Sequence, residues 1–409
     1  MKTELLKKLG RINTIPAGWK LTTVGKVCKI RNDLRKPLST EERAKIQGAY
    51  PYYGPTGVLD FIDHHLVEGQ FALIGEDGDH FLKPEQKAQT LLVNGKFNVN
   101  NHAHLIQGTE KCSSEWFFLY FHHRDITHLI SRQGASRYKL NKDTLSKLPI
   151  LVPPLNEQLE IYKLFTTWDN AIEKTEALIS AKEKQFEWLL NNLIEDDFKS
   201  CKKTLSEYAS IAKKEKILSA DGEKLLTVKL HCKGIEPNTR DIKVVLSSKG
   251  RPYYQRLAGE FLIGRQNFHN GGFGIVPSEL DGFIASNAIT TLELNQQKLI
   301  PEYLLFHFSR KNYYLRVGHI MDGTGQKELS DKQIMKLPIS APSIKVQQDI
   351  VLKLSSAKEE IKLLQTLLDK YRSQKRGLMQ KLLTGEWQVG SSQLLSEETC
   401  QELSREGVA

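Results

Sequence analysis

The 409-residue sequence predicts an α+β protein in which two tandem mixed α/β domains are separated by two long helices forming an antiparallel coiled coil. Three observations predict it. Ile161, Phe165, Trp168, Ile172, Thr175, Ile179, Lys182, Phe186, Leu189 and Leu193 step by alternate fours and threes, the seam of a coiled coil interrupted only by Thr175 and Lys182. A second seam lies 189 residues later, at Ile350, Leu354, Ala357, Ile361, Leu364, Leu368, Tyr371, Lys375, Leu378 and Leu382. Before each seam, short apolar runs divided by turn residues recur in the same order, as in a duplicated globular domain.

Taken in order, a charged lead-in ends at Ile15-Pro16-Ala17-Gly18-Trp19, where Pro and Gly stop any helix. Lys20 to Ile30 alternates enough for a short helix or strand, and Arg31 to Lys36 makes a basic loop closed by Pro37. Tyr50-Pro51-Tyr52-Tyr53-Gly54-Pro55 predicts a turn loaded with aromatics. Phe71 to Ile74, Thr90 to Val93 before Asn94-Gly95, and His104 to Ile106 read as strands of a mixed sheet. Glu115 to His122 reads as a buried helix, and Ser131 to Lys139 as a polar, basic loop leading to the first rod. Neither Pro nor Gly occurs between Leu155 and Ile194, so about 40 residues at ~1.5 Å each give a rod of roughly 60 Å.

The second half replays this frame. Lys203 to Ile211 matches the opening segment, Gly259 to Gly264 matches Gly69 to Gly75, Glu302 to Phe308 matches Glu115 to Phe121, and Gly323 to Leu329 matches Gly134 to Leu140. The preamble Lys147-Leu148-Pro149-Ile150, Pro153 and Gln158 returns as Lys336-Leu337-Pro338-Ile339, Pro342 and Gln347. The expected division is a first domain at 1–152, a long helix at 153–198, a second domain at 199–341, a second long helix at 342–387 and a tail at 388–409. Phe165, Trp168, Ile172, Ile179 and Leu189 are expected to pack with Leu354, Ile361, Leu364, Leu368 and Leu378. A lone helix of that length would leave its apolar seam in water, and two seams in one register supply each other's partner.

Lys and Arg exceed Asp and Glu by 58 to 48, a net charge of +10 that suits a polyanionic partner. The five cysteines form no C-x-x-C pair and are odd in number, which fits neither a disulfide framework nor a zinc knuckle and favours a reducing, cytoplasmic setting. Met1 to Leu9 lacks an apolar core of signal-peptide length, and no 18-residue apolar run exists, so no membrane association is expected. Catalytic patterns are missing. Gly318 to Thr324 has no phosphate-binding lysine, and Gly271-Gly272-Phe273-Gly274 reads as a turn. Asp79 with Glu85-Gln86-Lys87 is too cramped for a nuclease carboxylate pair, and His102, His104, His122 and His123 lack companion ligands for a metal.

What remains is recognition. Arg, Lys, Asn and Gln place donors and acceptors on base edges and neutralise phosphates, and Tyr stacks on or wedges beside bases. The DNA-binding candidates in the first domain are Arg31, Asn32, Arg35, Lys36, Tyr52, Tyr53, Arg132, Gln133, Arg137 and Lys139. In the second they are Lys249, Arg251, Tyr253, Tyr254, Gln255, Arg256, Arg265, Gln266, Asn267, Gln326 and Lys327. The frame repeats while these loops differ, as two readers of unlike targets require. Rival readings are a nuclease or methyltransferase acting alone, and a coiled-coil scaffold without nucleic-acid binding.

The Ile-Pro-x-Gly-Trp start, the Leu-Pro-Ile, Pro and Gln that introduce each rod, and the closing Lys381-Leu382-Leu383-Thr384-Gly385 resemble the specificity subunit of Type I restriction-modification systems, over about residues 15 to 387. The resemblance implies two target-recognition domains, each reading one half of an asymmetric bipartite site in double-stranded DNA, with the two long helices as spacer regions. It implies no active site, catalytic residue or metal in this chain. Modification (methyltransferase) subunits and restriction (motor-nuclease) subunits would be its partners, and S-adenosylmethionine, ATP and magnesium would belong to them.

Overall fold

The structure, a computed structural model, describes residues 14–84, 87–133, 137–195, 203–217, 224–239, 251–319 and 328–389. The chain divides into two compact units, Met1–Lys174 with Leu368–Ala409, and Thr175–Leu367. Each long helix contributes one stretch to each unit.

In the first unit the elements run β1 (Lys20–Thr23), α1 (Val24–Val27), β2 (Lys29–Ile30), α2 (Thr40–Lys45), β3 (Gln47–Tyr53), β4 (Val58–Ile62), β5 (Val67–Gly75), β6 (Asp77–Gly78), β7 (Thr90–Val99) and β8 (Ala103–Gln107). Then come α3 (Ser114–Phe121), β9 (Ser131–Gln133), β10 (Arg137–Lys139), α4 (Lys142–Lys147), β11 (Pro149–Val152) and the first part of α5 (Leu155–Leu193). Six strands form one sheet in the order β2-β8-β5-β7-β3-β4, with β3 parallel to β7 and the other neighbours antiparallel. The two-residue period of β5 sorts its side chains between two cores. Phe71 and Leu73 join Val93, Phe97 and Leu105 on one face. Ala72 and Ile74 join Ile106 and the α3 side chains Trp116, Phe117 and Tyr120 on the other. Helix α3 starts at Ser113, whose hydroxyl accepts the Trp116 amide at 3.0 Å and so satisfies one of the donors a helix start leaves unpaired.

Two turns predicted from the sequence are strand instead. Tyr50 to Tyr53 belong to β3, and the chain reverses only at Gly54, whose amide donates to the Gly57 carbonyl at 2.8 Å. Asn94-Gly95 lies inside β7, where Gly95 faces Gly69 across the ladder. Both glycines have positive φ, 99° and 117°, which only residues without Cβ adopt readily, so the ladder continues through a pair that reads as a hairpin signal. The basic stretch from Ser131 to Lys139 contains the paired strands β9 and β10 rather than loop alone.

The second unit runs β12 (Ala209–Ile211), β13 (Leu226–Val228), β14 (Ile235–Pro237), β15 (Tyr253–Gln255), β16 (Phe261–Gly264), β17 (Phe273–Ile275), β18 (Ile284–Ser286), β19 (Ile289–Leu294), α6 (Pro301–Ser309), α7 (Lys311–Val317), α8 (Asp331–Met335) and α9 (Ile344–Thr384), with the end of α5 beside the start of α9. Its main sheet has the order β12-β19-β16-β17. Phe261, Phe268, Phe273, Tyr303 and Phe308 fill the core that α6 closes. The expected turn at Gly271 to Gly274 is half right: Gly271 ends a helical turn at φ 72°, and Phe273 already begins β17.

Helices α5 and α9 carry 39 and 41 residues, about 58 and 62 Å at ~1.5 Å per residue. Within the first unit Trp168 meets Tyr371 edge to face at 5.7 Å, and Asp169 is paired with Lys375. Ile161 and Phe165 share a core with Leu378 and Leu382. Within the second unit Lys182 pairs with Glu360 at 2.8 Å, and Leu190 and Ile194 share a core with Ile350 and Leu354. In both units residue numbers rise along one helix as they fall along the other, so the stretches are antiparallel. Every seam position of both helices is buried or half-buried. Trp168 and Leu364, expected to be buried in the seam, are half-buried, because a two-helix seam leaves the flanks of its side chains open to water. The seam lysines are matched as well: Lys182 and Lys375 reach acids on the facing helix.

Candidate nucleic-acid interface

Two basic stretches separated by about a hundred residues of sequence meet in the first unit. Strand β5 ends at Gly75, and Glu76 after it lies between the loop following β2 and the hairpin of β9 and β10. Arg35 Nη1 donates to Glu76 Oε2 at 2.8 Å, and to the carbonyls of Asn101 and Ala103 at 2.9 and 3.3 Å. Lys139 Nζ approaches Glu76 Oε1 at 3.9 Å. The hairpin is docked by β10 pairing with β6, Tyr138 opposite Gly78 and Lys139 opposite Asp77, and by the Leu140 amide donating to the Glu76 carbonyl at 2.7 Å.

Beneath this ion pair lies the buried ring of His104. Its Nε2 is 2.6 Å from the Leu140 carbonyl and its Nδ1 is 2.8 Å from the Asn32 side-chain nitrogen. A carbonyl only accepts and an amide NH2 only donates, so the ring is neutral with its hydrogen on Nε2. Burial pushes the His104 pKa down, outweighing the Leu140 carbonyl and Glu76, which favour the charged form. Asn32 Oδ1 in turn accepts the Leu105 amide at 3.4 Å. Asn32, Arg35 and Lys139 are thus brought together around Glu76 and His104. Arg31 grips Asp33 through Nε and Nη2 and reaches Gln107 Oε1 at 3.2 Å. That hydrogen-bonded pair raises the Arg31 pKa and lowers that of Asp33.

The second unit repeats the arrangement with its charges exchanged. Arg265, 189 residues after Glu76, follows β16, and Glu328, 189 residues after Lys139, is its partner at 3.1 Å. The Leu329 amide donates to the Arg265 carbonyl at 3.1 Å, as Leu140 does to Glu76, and Arg265 Nε donates to the Leu329 carbonyl at 2.9 Å. Were the segments that carry Lys139 and Glu328 interchanged, Lys139 would face Arg265 and Glu328 would face Glu76, and the like charges would repel. Sequence reasoning passed over Glu76 and Glu328 and weighed His104 only as a metal ligand; Glu76, His104 and Glu328 are the residues it missed at this site. The exchanged charges at a spacing of 189 are the signal that finds the first and third.

The remaining candidates divide by exposure. Lys36, Arg132, Arg251, Gln255 and Asn267 are exposed, and Tyr53, Tyr253, Tyr254 and Gln266 are half-buried. Tyr53 packs edge to face on Phe97 at 5.8 Å, and burial raises its pKa. Tyr253 and Tyr254 sit in β15 opposite Ser286 and Ala285. Two candidates are corrected. Tyr52 is 0% exposed, its hydroxyl donating to the Lys36 carbonyl at 2.8 Å and accepting the Leu38 amide at 2.9 Å, so it anchors the basic loop from inside. Arg256 is 2% exposed, its guanidinium donating to Thr291 Oγ1 and the Ser286 and Ile289 carbonyls, and burial lowers its pKa. Neither side chain is available to a duplex. Lys249, Gln326 and Lys327 lie outside the described residues, as do the side chains of Gln133 and Arg137.

Asp79 pairs with Lys87 at 2.6 Å on the surface, while Glu85 and Gln86 lie outside the described residues. Among the described residues no group of three or more His, Cys, Asp or Glu side chains is placed to hold a metal, and no helix is long and apolar enough to cross a membrane.

The buried His80 and His104 and the half-buried His122 give the first unit a pH dependence. Burial, with help from His123 and Lys375, pushes His122 down to about 3, and burial also lowers His80 and His104. Each binds its proton more readily in the unfolded chain, so their contribution is complete above the ordinary histidine pKa of ~6.5 and falls away as pH drops below it. From His122 alone, moving from about pH 7 to pH 5 is expected to cost about 2 kcal/mol. A shift of that size lowers Tm by roughly 4–8 °C for a unit of this size. Thermal unfolding of His122→Gln at both pH values checks it: the drop should shrink in the variant, and an equal drop would contradict the assignment.

Comparison with known proteins places this geometry. The family profile described as Type I restriction modification DNA specificity domain matches residues 16–183 and again 198–370. A type I restriction enzyme specificity subunit of Haemophilus influenzae is 27% identical over 344 residues, covering 81% of this chain and 85% of the relative. Among solved structures, the S subunit of a Type I restriction-modification system from M. genitalium superposes with a TM-score of 0.57 at 15% identity, covering 92% of this chain and 98% of the other. The HsdS subunit from Thermoanaerobacter tengcongensis gives 0.51 at 14% identity, covering 92% and 99%. With two matched domains, a repeated frame and two packed helices, the chain belongs to the DNA specificity subunits of Type I restriction-modification systems, the non-catalytic part of those systems.

Proposed function

We propose that this specificity subunit reads an asymmetric, bipartite target in double-stranded DNA, one half with each domain, and directs modification and restriction subunits to it. The observation that carries the reading is the repeated frame around Glu76 and Arg265, which holds thoroughly different polar loops in its two copies. Equal readers would give a symmetric target; unlike readers give an asymmetric one. Lys36, Arg132 and Lys139 on one side, and Arg251, Gln255, Gln266 and Asn267 on the other, supply the donors, acceptors and charge that phosphates and base edges require. The half-buried Tyr53, Tyr253 and Tyr254 are the candidates for stacking. Arg31, Asn32, Arg35 and Arg265 act by holding these loops in shape. S-adenosylmethionine, ATP and magnesium fall to the partner subunits.

The test is a gel shift together with a methylation assay. The chain combined with modification subunits should bind and methylate a two-part sequence, while the chain alone should transfer no methyl group and cleave nothing. Methylation or cleavage by the lone chain would favour a self-sufficient enzyme. Absence of DNA binding by the complex would favour a scaffold.

A further inference from the structure

Each long helix begins with the same buried side chain in the same wiring. Gln158 and Gln347 are both 0% exposed. Gln158 Oε1 accepts the Ser113 amide at 2.9 Å, and its Nε2 donates to the carbonyls of Lys111 and Pro153, each at 2.9 Å. Gln347 Oε1 accepts the Ile300 amide at 2.9 Å, and its Nε2 donates to the carbonyls of Lys298 and Pro342, each at 2.8 Å. One acceptor and two donors are thereby satisfied in both places, all by main-chain groups. Ser113 and Ile300 are the N-cap residues of α3 and α6, the buried helices of the two domains. Pro153 and Pro342 lie in the turns that lead into α5 and α9. A single amide therefore joins the root of a domain helix to the root of a coil helix, inside one compact unit each time.

The rest of the attachment is mainly of another kind, apart from Trp19 Nε1 donating to Glu157 Oε2 at 3.0 Å in the first unit and the Arg310 guanidinium donating to the Ile194 carbonyl at 3.2 Å in the second. Ile161 and Phe165 meet the first domain through a shared apolar core, as Ile350 and Leu354 meet the second. Apolar contact is non-directional and tolerates sliding and rotation, whereas three hydrogen bonds from one rigid amide do not.

We propose that Gln158 and Gln347 are positioning residues, which fix the orientation of each recognition domain on its end of the coil and so restrict the complex to one separation between half-sites. This rests on the reading that the two domains address separate half-sites. The test uses the complete complex with modification subunits. Gln158→Met and Gln347→Met keep the volume but remove all three bonds. Each is expected to keep both half-site sequences while methylation at spacers one base pair too short or too long rises about tenfold, because a freed rotation relaxes the fixed register. Gln158→Glu keeps the acceptor but turns a carboxylate towards two carbonyls. Its spacing should be loose at about pH 8 and tighten towards about pH 6, as protonation restores one donor. Leu105→Ala, in the far core of the first domain, should lower stability without touching the spacing.

Distances between spin labels placed at exposed Lys96 and Glu173, both in the first unit, provide a readout that does not depend on DNA. Their distribution should broaden in Gln158→Met and in Gln158→Glu at high pH. Unchanged spacer selection and an unchanged distance distribution in the folded variants would overturn the proposal. If the wild-type complex methylates one undivided sequence, the bipartite reading is what fails, and the label distances alone decide the role of Gln158: broadening upholds the positioning of the domain, and no change overturns it.

Discussion

Phe165→Asp is expected to unfold the first unit. Phe165 is fully buried where α5 meets both the first domain and the end of α9. Removing such a ring costs about 3–5 kcal/mol through lost burial and the cavity left behind. Leaving an unpaired carboxylate in the same place adds several kcal/mol more, or forces the group to stay protonated. The sum rivals the ~5–15 kcal/mol that holds a typical domain together. Trp168→Asp should cost less, since Trp168 is half-buried and its new charge can reach water. Urea unfolding and limited proteolysis check the pair. Equal, wild-type midpoints in both variants would mean that the seam does not hold the unit.

A paired insertion carries the second large effect, this time on specificity. Seven residues added after Lys174 and seven after Leu367, the two places where the compact units divide, preserve both seams and lengthen each helix by about 10 Å. That corresponds to roughly three base pairs of duplex at ~3.4 Å each. The variant should keep both half-site sequences and prefer a longer spacer. Methylation sequencing of the folded, active complex reads the outcome, and an unchanged spacer would show that helix length does not set the separation of the half-sites.

The coiled coil was legible from the sequence because heptad spacing is a local pattern and because the second copy fixed its register. Ile161 and Leu382 needed no structure to be found. Buried helices such as α3 were legible for a similar reason, since Trp116, Phe117 and Tyr120 leave few alternatives. Turns were less so. Asn94-Gly95 carries a strong hairpin signal, yet Gly69 opposite it lets β5 and β7 run on together, and nothing local to either glycine announces the other. Interface residues were the hardest. Tyr52 and Arg256 have the composition of DNA-contacting residues, but composition does not say which way a side chain points in its strand. Both turn inward to satisfy main-chain carbonyls. Glu76 was passed over because nothing local to it shows that Arg35 and Lys139, about a hundred residues apart in sequence, both reach its carboxylate.

The claim at the centre of this account is that each domain reads its own half-site. Replacing residues 15–150 with the matching domain of another specificity subunit, and sequencing the sites methylated by the resulting complex, tests it most directly. The account predicts that one half of the recognised sequence changes while the other half stays as it was. A change in both halves together, or in neither, would contradict it.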